Sequence, residues 1–168
     1  EIRKVSVRET PPEPFVNETD QELGAYHAIV ETSMGDVTLE FFPDKAPKTV
    51  RQFYKLAAAN VFANMTVHRV APGFVIQTGS LSTRTVPLTE KQQKLAHQQQ
   101  PEFNDTKHVK GIVSMARGED PASATTSFFI CVGTSAPLDG NYTAFGRVID
   151  GMSVVDAIEK VPVNGEAP

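Results

Sequence analysis

In the stretch Val67–Gly79, VHRVAPGFVIQTG, the chain sets two basic side chains, His68 and Arg69, ahead of a Pro72-Gly73 pair, followed by Phe74, Val75, Ile76 and Gln77. The residues before the pair alternate roughly between apolar and polar, and a short apolar run follows it, the pattern of two strands. Pro-Gly between them reads as a turn, because proline presets one φ and glycine accepts the positive φ that follows. Folded back in this way, the strands hold Arg69, Phe74 and Gln77 close together. A fixed cation, an aromatic wall and a neutral amide, with no nucleophile among them, suit binding and polarising a neutral amide rather than cleaving one. His68 and Arg69 are adjacent in a strand and point to opposite faces, so only one of them faces a shared groove. From composition alone, a histidine bonded to backbone and a solvated surface arginine are the plain alternatives for the pair.

Other chemistries lack their signatures. Nucleophilic hydrolysis needs a nucleophile with a base held by an orienting group, and neither a GxSxG nor a Cys-His pattern surrounds His68, Ser127 or Cys131. His27, His68, His97 and His108 are scattered, without HxxxH or CxxC spacing, so no metal site is expected. No glycine-rich phosphate loop is present. Cys131, in the apolar run SFFICVG, has no partner for a disulfide and reads as a buried, inert thiol.

The elements that must position these residues are short. Ala28–Thr32 and Val37–Phe41 read as strand and strand around a Ser33–Asp36 turn, and Pro43 ends the second. A helix begins near Ala46-Pro47, with Val50, Phe53, Tyr54 and Ala57 on one stripe, which makes the two aromatic residues core. Residues Ser80–Asn104 are polar and Gln-rich; Thr89 followed by Gln92 fits a capping box, placing a short exposed helix over Glu90–His97. A loop of this length in a compact domain is functional or mobile, and selection of substrates is its expected role. Strands follow over 111–116 and 127–132 and around 145–148. A second amphipathic helix follows Gly151, with Met152, Val155, Ile158 and Val154 facing the core. Many short strands with two helices and no βαβ rhythm predict a mainly β fold, a closed antiparallel barrel with helical covers.

VHRVAPGFVIQTG closely resembles the cyclophilin signature. The likeness continues through GIVSMAR (111–117), SFFICVG (127–133), PLDG (137–140) and FGRVIDGMSVVDAIE (145–159), and the earlier TSMGDVTLEFFPDKAPKTVRQFYKL (32–56) is similar to the family's first hairpin and helix. It spans about Tyr26 to Val161, in order. The resemblance implies a closed eight-stranded antiparallel β-barrel capped by two α-helices, with peptidyl-prolyl cis–trans isomerase activity in an outer groove and no cofactor. By position it makes Arg69 the catalytic arginine, with Phe74 and Gln77 beside it. His68, Val75, Ala116, Ser127, Phe129, Leu138 and Tyr142 become substrate-binding positions. Departures are QTGS at 77–80, Ser127 where the family carries Gln, and Pro137 where many eukaryotic members carry Trp. The chain holds no Trp, so weak binding of cyclosporin-type ligands is expected. The expected partners are proline-containing peptides and folding proteins. The runner-up reading is a binding or chaperone-like module that grips proline segments with little turnover.

The chain as a whole fits one domain: 168 residues, 40% hydrophobic, net charge −4. The acidic balance argues against nucleic acid as the main partner, and no apolar run approaches the roughly 20 residues of a membrane span. A monomer is expected. Residues 1–25, with Pro11, Pro12 and Pro14 close together and Ile2, Val5 and Val7 as a short edge strand, read as an N-terminal arm; residues 26–168 form the isomerase domain. The four N-x-S/T matches at Asn17, Asn64, Asn104 and Asn141 include two near the working face, which favours a bacterial source. No signal-peptide pattern opens the chain, leaving an exported, periplasmic or cytoplasmic location open.

Overall fold

The computed structural model describes residues 13–168. Seven strands, β1 (His27–Thr32), β2 (Gly35–Phe41), β3 (Arg69–Ala71), β4 (Val75–Thr78), β5 (Ile112–Met115), β6 (Phe128–Cys131) and β7 (Ala144–Asp150), form one antiparallel sheet in the order β1-β2-β7-β5-β6-β4-β3. The closed eight-stranded barrel expected from the resemblance is therefore corrected: the described residues make an open half-barrel with β1 and β3 as its edges. Closure needs a strand joining those two edges. After the last helix the chain instead runs through Pro162 and Gly165 into an isolated bridge between Asn164 and Ala167. It touches the β3 edge through one backbone bond, Val70 N–H to the Glu166 carbonyl at 2.7 Å.

The strands alternate inside and outside with a period of two. Inward, Val70, Ile76, Val113, Met115, Phe128 and Ile130 join the main core with Phe41, Phe53, Tyr54 and the fully buried Phe145. Phe53 packs at 4.9 Å from Phe41 and from Phe62, in tilted and stacked pairs that add a specific geometry to area burial. Outward, Ala71, Val75, Ile112, Phe129, Cys131 and Ala144 make a second buried cluster. That outer cluster is the floor on which the site is built.

Among the described residues are four α-helices. In α2 (Pro47–Ala58) proline occupies the first turn, and Val50, Phe53, Tyr54 and Leu56 are buried as the stripe predicts. Its residue Ala46 has no side chain to cap the helix, and the carboxylate of Glu102 substitutes, accepting from Lys48 N–H (3.1 Å) and Thr49 N–H (2.8 Å). In α4 (Met152–Glu159) Val155 and Ile158 are buried, with Met152 and Val154 packed against the core. The Gln-rich segment contains α3 (Glu90–Leu95), closed by the expected Thr89–Gln92 capping box. Its glutamines are not idle: Gln92 donates to the Ala59 carbonyl (2.7 Å) and Gln99 to the Thr125 carbonyl (3.0 Å).

Of the N-terminal arm, the described part docks on the domain. In α1 (Asp20–Gly24) Leu23 is fully buried, Phe15 stacks on Tyr54 at 4.9 Å, and Arg51 donates to the carbonyls of Phe15 (3.0 Å) and Glu18 (2.5 Å). The strand expected around Ile2, Val5 and Val7, and Pro11-Pro12 with it, lies outside the described residues. No helix among the described residues is long and apolar enough to cross a membrane.

Candidate active site

The site is a row of side chains running across the outer face of the sheet. Arg69 on β3 stands opposite Gln77 on β4, Gln77 opposite Phe129 on β6, Phe129 opposite Ser114 on β5, and Ser114 opposite Ala144 on β7. Directly opposed residues share a face and sit about 4.5–5.5 Å apart at Cβ, so the row follows from register alone. The turn at Pro72-Gly73 forms as expected: Gly73 has φ +73°, and the Phe74 N–H returns to the Ala71 carbonyl at 3.0 Å. Gly133 packs flat against that turn, since a Cβ there would lie 2.2 Å from the Gly73 carbonyl oxygen. Phe74 is fixed through its carbonyl, which accepts from Val132 N–H at 2.9 Å.

Around the row lies a cleft of about 220 Å³ lined by Arg69, Phe74, Val75, Gln77, Ala116, Arg117, Phe129, Leu138 and Tyr142. A one-turn helix at Ala136–Leu138 brings in Leu138, and the Tyr142 ring meets Phe129 edge-on at 5.8 Å. Phe74, Val75, Ala116, Phe129 and Leu138 supply the cleft's apolar lining, and Arg69, Gln77 and Arg117 its polar groups. Of the ten residues singled out in the sequence, the cleft gathers eight. His68 and Ser127 are not in its lining. His68 has the parity of Val70, on the face opposite to Arg69, and its buried Nδ1 has no hydrogen-bond partner among the described residues. Burial holds its imidazole below the ordinary value, Arg69's charge adds to this, and the Thr66 backbone pulls the other way. Ser127 faces its backbone to β5, its carbonyl accepting from Ala116 N–H at 2.9 Å.

Arg69 is held at the rim. Its Nε and Nη2 donate side-on to the Glu166 carboxylate at 2.5 and 3.2 Å, and its guanidinium carbon lies 5.7 Å from the Phe74 ring centre. Nη1 keeps both its hydrogens free of partners among the described residues. The pairing holds Glu166 below the usual carboxylate range, chiefly through the hydrogen bond and then through charge.

Sequence reasoning missed two features. Arg117 stands over the Tyr142 ring, 4.5 Å from its centre, a contact between residues 25 positions apart with no local pattern to announce it. Beneath the floor, Ser114 Oγ lies 3.0 Å from His108 Nε2, and His108 Nδ1 lies 3.1 Å from Asp139 Oδ1. That order imitates a hydrolytic triad, but Ser114 is 0% and His108 1% exposed, so no substrate carbonyl reaches the hydroxyl. The chain Asp139–His108–Ser114 is a brace. It ties the Leu138–Asp139 wall to the strand under Phe129, and the His108 ring packs 6.2 Å from Phe129. Among the described residues no group of three or more His, Cys, Asp or Glu is placed to hold a metal ion.

A family model described as cyclophilin type peptidyl-prolyl cis-trans isomerase/CLD matches residues 27–168. The chain is 38% identical over 149 residues to the peptidyl-prolyl cis-trans isomerase CYP23 of Arabidopsis thaliana, covering 88% of this chain and 66% of that protein. A probable peptidyl-prolyl cis-trans isomerase of Brucella abortus is 37% identical over 138 residues, covering 79% of this chain and 70% of the bacterial protein. In structure the chain is similar to a Cryptosporidium parvum cyclophilin-type peptidyl-prolyl cis-trans isomerase crystallised in the presence of the dipeptide Ala-Pro. The TM-score is 0.75 at 26% identity, over 85% of this chain and 91% of that one.

Proposed function

The chain belongs to the cyclophilin-type peptidyl-prolyl cis–trans isomerases, and on that premise we propose that its outer cleft accelerates rotation about X–Pro bonds by arginine stabilisation of the twisted imide. Resonance gives a peptide C–N bond a rotational barrier of ~18–20 kcal/mol. The two X–Pro isomers are close in energy yet exchange over tens to hundreds of seconds, so a catalyst has only to favour the twisted state. As resonance breaks, the prolyl nitrogen becomes pyramidal and gains a lone pair. A guanidinium hydrogen aimed at that lone pair binds the twisted state more tightly than the planar one, which is the condition for lowering the barrier.

The observation that carries this reading is the row Arg69–Gln77–Phe129 on one face, with a guanidinium at the rim of a cleft that also presents Phe74, Val75, Phe129 and Leu138 and no exposed nucleophile. In the proposed mechanism Phe74, Val75, Phe129 and Leu138 hold the pyrrolidine ring, and the Gln77 amide binds the peptide backbone. The free Nη1 hydrogens of Arg69 face the prolyl nitrogen. Glu166 fixes the guanidinium from its other edge, so little side-chain freedom remains to be lost when substrate binds. No covalent intermediate or proton transfer is required.

The test is substitution at Arg69. Arg69→Ala is expected to lower kcat/KM on an X–Pro peptide by about 10²–10³, the cost of removing one preorganised donor. The thermal midpoint should barely move, because a rim side chain contributes little to stability. Unfolding in parallel with the activity loss would make Arg69 structural instead. Peptide binding at full affinity without acceleration in the parent protein would favour the alternative reading, a module that grips proline segments.

A further inference from the structure

We propose that Arg117 gives the cleft a preference for substrates carrying an acidic side chain within about four residues of the isomerised proline, an inference that rests on the cleft being the proline site. Two guanidinium groups line the cleft, and they are not equivalent. Arg69 is matched by the Glu166 carboxylate, edge to edge. Arg117 pairs with no carboxylate among the described residues. Its Nε and Nη2 donate to the Asn141 carbonyl (3.1 and 2.8 Å), and Nη1 donates to the carbonyls of Gly118 (2.9 Å) and Glu119 (3.3 Å). With the Tyr142 ring beneath it at 4.5 Å, the group is held on several sides by neutral dipoles and a π face. Such partners orient a cation without cancelling its charge.

The acids nearest in sequence do not offset it. Asp120 turns back to cap the Pro121–Ser123 turn, accepting from Ala122 N–H at 2.9 Å, and neither it nor Glu119 makes an ion pair with Arg117. The uncompensated positive charge of the cleft therefore sits at the Arg117–Tyr142 end. Arg69 is on β3 and Arg117 follows β5, with β4 and β6 between, and strands lie about 4.8 Å apart. Three such steps make roughly 14 Å, which an extended peptide spans in about four residues. A substrate with its proline at Arg69 therefore presents a nearby side chain to Arg117. Because most of the arginine's hydrogens are already engaged, the recognition is by charge and follows ionic strength.

The experiment compares X–Pro peptides that carry Glu, Gln or Lys at matched positions on either side of the proline, read as kcat/KM at low and at high salt. The parent protein is expected to prefer Glu over Gln by about three- to tenfold in one of the two registers, the size of a partly solvated charge pair, and to disfavour Lys. High salt should bring the ratio towards one. Arg117→Lys should keep much of the Glu-over-Gln ratio and Arg117→Gln should lose it, whatever happens to the absolute rates. Equal rates for Glu and Gln peptides in both registers, or a ratio that survives in Arg117→Gln, would overturn the preference while leaving the isomerase reading intact. Absence of turnover on every peptide would overturn both.

Discussion

Arg69 and Asp139 show how single side chains here are set by partners far away in sequence. The Arg69 motif was legible because its meaning is local: strand, Pro-Gly turn, strand. What restrains Arg69 was not, since Glu166 lies 97 positions on and nothing in GEAP marks it as a partner. The same holds for His108, which has the look of an ordinary loop histidine until Ser114 and Asp139 close on it. Asp139 is held below the usual aspartate range first by the His108 backbone N–H, then by the His108 ring and Lys107, against the pull of burial. A carboxyl with a depressed folded value contributes stability that is full above the ordinary range and is lost as pH falls through the lower one. Urea midpoints followed into the acid range should therefore fall less steeply in Asp139→Asn than in the parent; identical slopes would mean that the brace adds no acid sensitivity. Cys131 behaves as its apolar run implied. It is fully buried, and burial first and Asp139's charge second push its thiol up to about 12. An aromatic disulfide reagent should label it only at the rate of unfolding, and rapid stoichiometric labelling of the folded protein would refute an inert thiol.

At the scale of elements, sequence periodicity located the strands and helices because the sheet is covered on one face by a deep core and on the other by a second cluster. Continuous apolar runs such as Phe128–Cys131 are what a strand buried on both faces requires. The Gln-rich segment was harder to read. Its capping box was visible, but its position was not: it folds over α2, where Gln52 donates to the Leu95 carbonyl at 2.5 Å, and none of its residues lines the cleft. Selection of substrates by residues 82–100 is therefore a proposal that rests on no residue of the cleft lining; deletion of the segment with an unchanged preference across a peptide panel would reject it. The turn beside Phe74 is the element most sensitive to change. Gly133→Ala forces its Cβ into the Gly73 carbonyl, so the Ala71–Phe74 turn must shift; we expect a loss of about 1–3 kcal/mol and, on the proposed reading, a raised KM for X–Pro peptides together. A stable Gly133→Ala protein with unchanged KM would show that the turn has more room than its backbone contacts indicate.

For the whole molecule, the family relation and the mainly antiparallel architecture were readable because several separate motifs agreed in order along the chain. Barrel closure was not, since it depends on whether a segment joins β1 to β3, and over the described residues the chain after α4 makes one bridge and a single backbone bond to β3 instead. The half-barrel still gives the cleft what it needs. Its row of residues lies on β3, β4, β6, β5 and β7, which are successive neighbours in the sheet, and the β3 edge is steadied by the Glu166 backbone. On the proposed reading this surface turns over prolyl bonds through Arg69. The most direct measurement is cis–trans exchange of a short X–Pro peptide by NMR, with catalytic amounts of protein and no coupled protease. Exchange accelerated by the parent protein and lost in a folded Arg69→Ala variant is the predicted result; equal acceleration by both proteins, or binding with no acceleration by either, would contradict it.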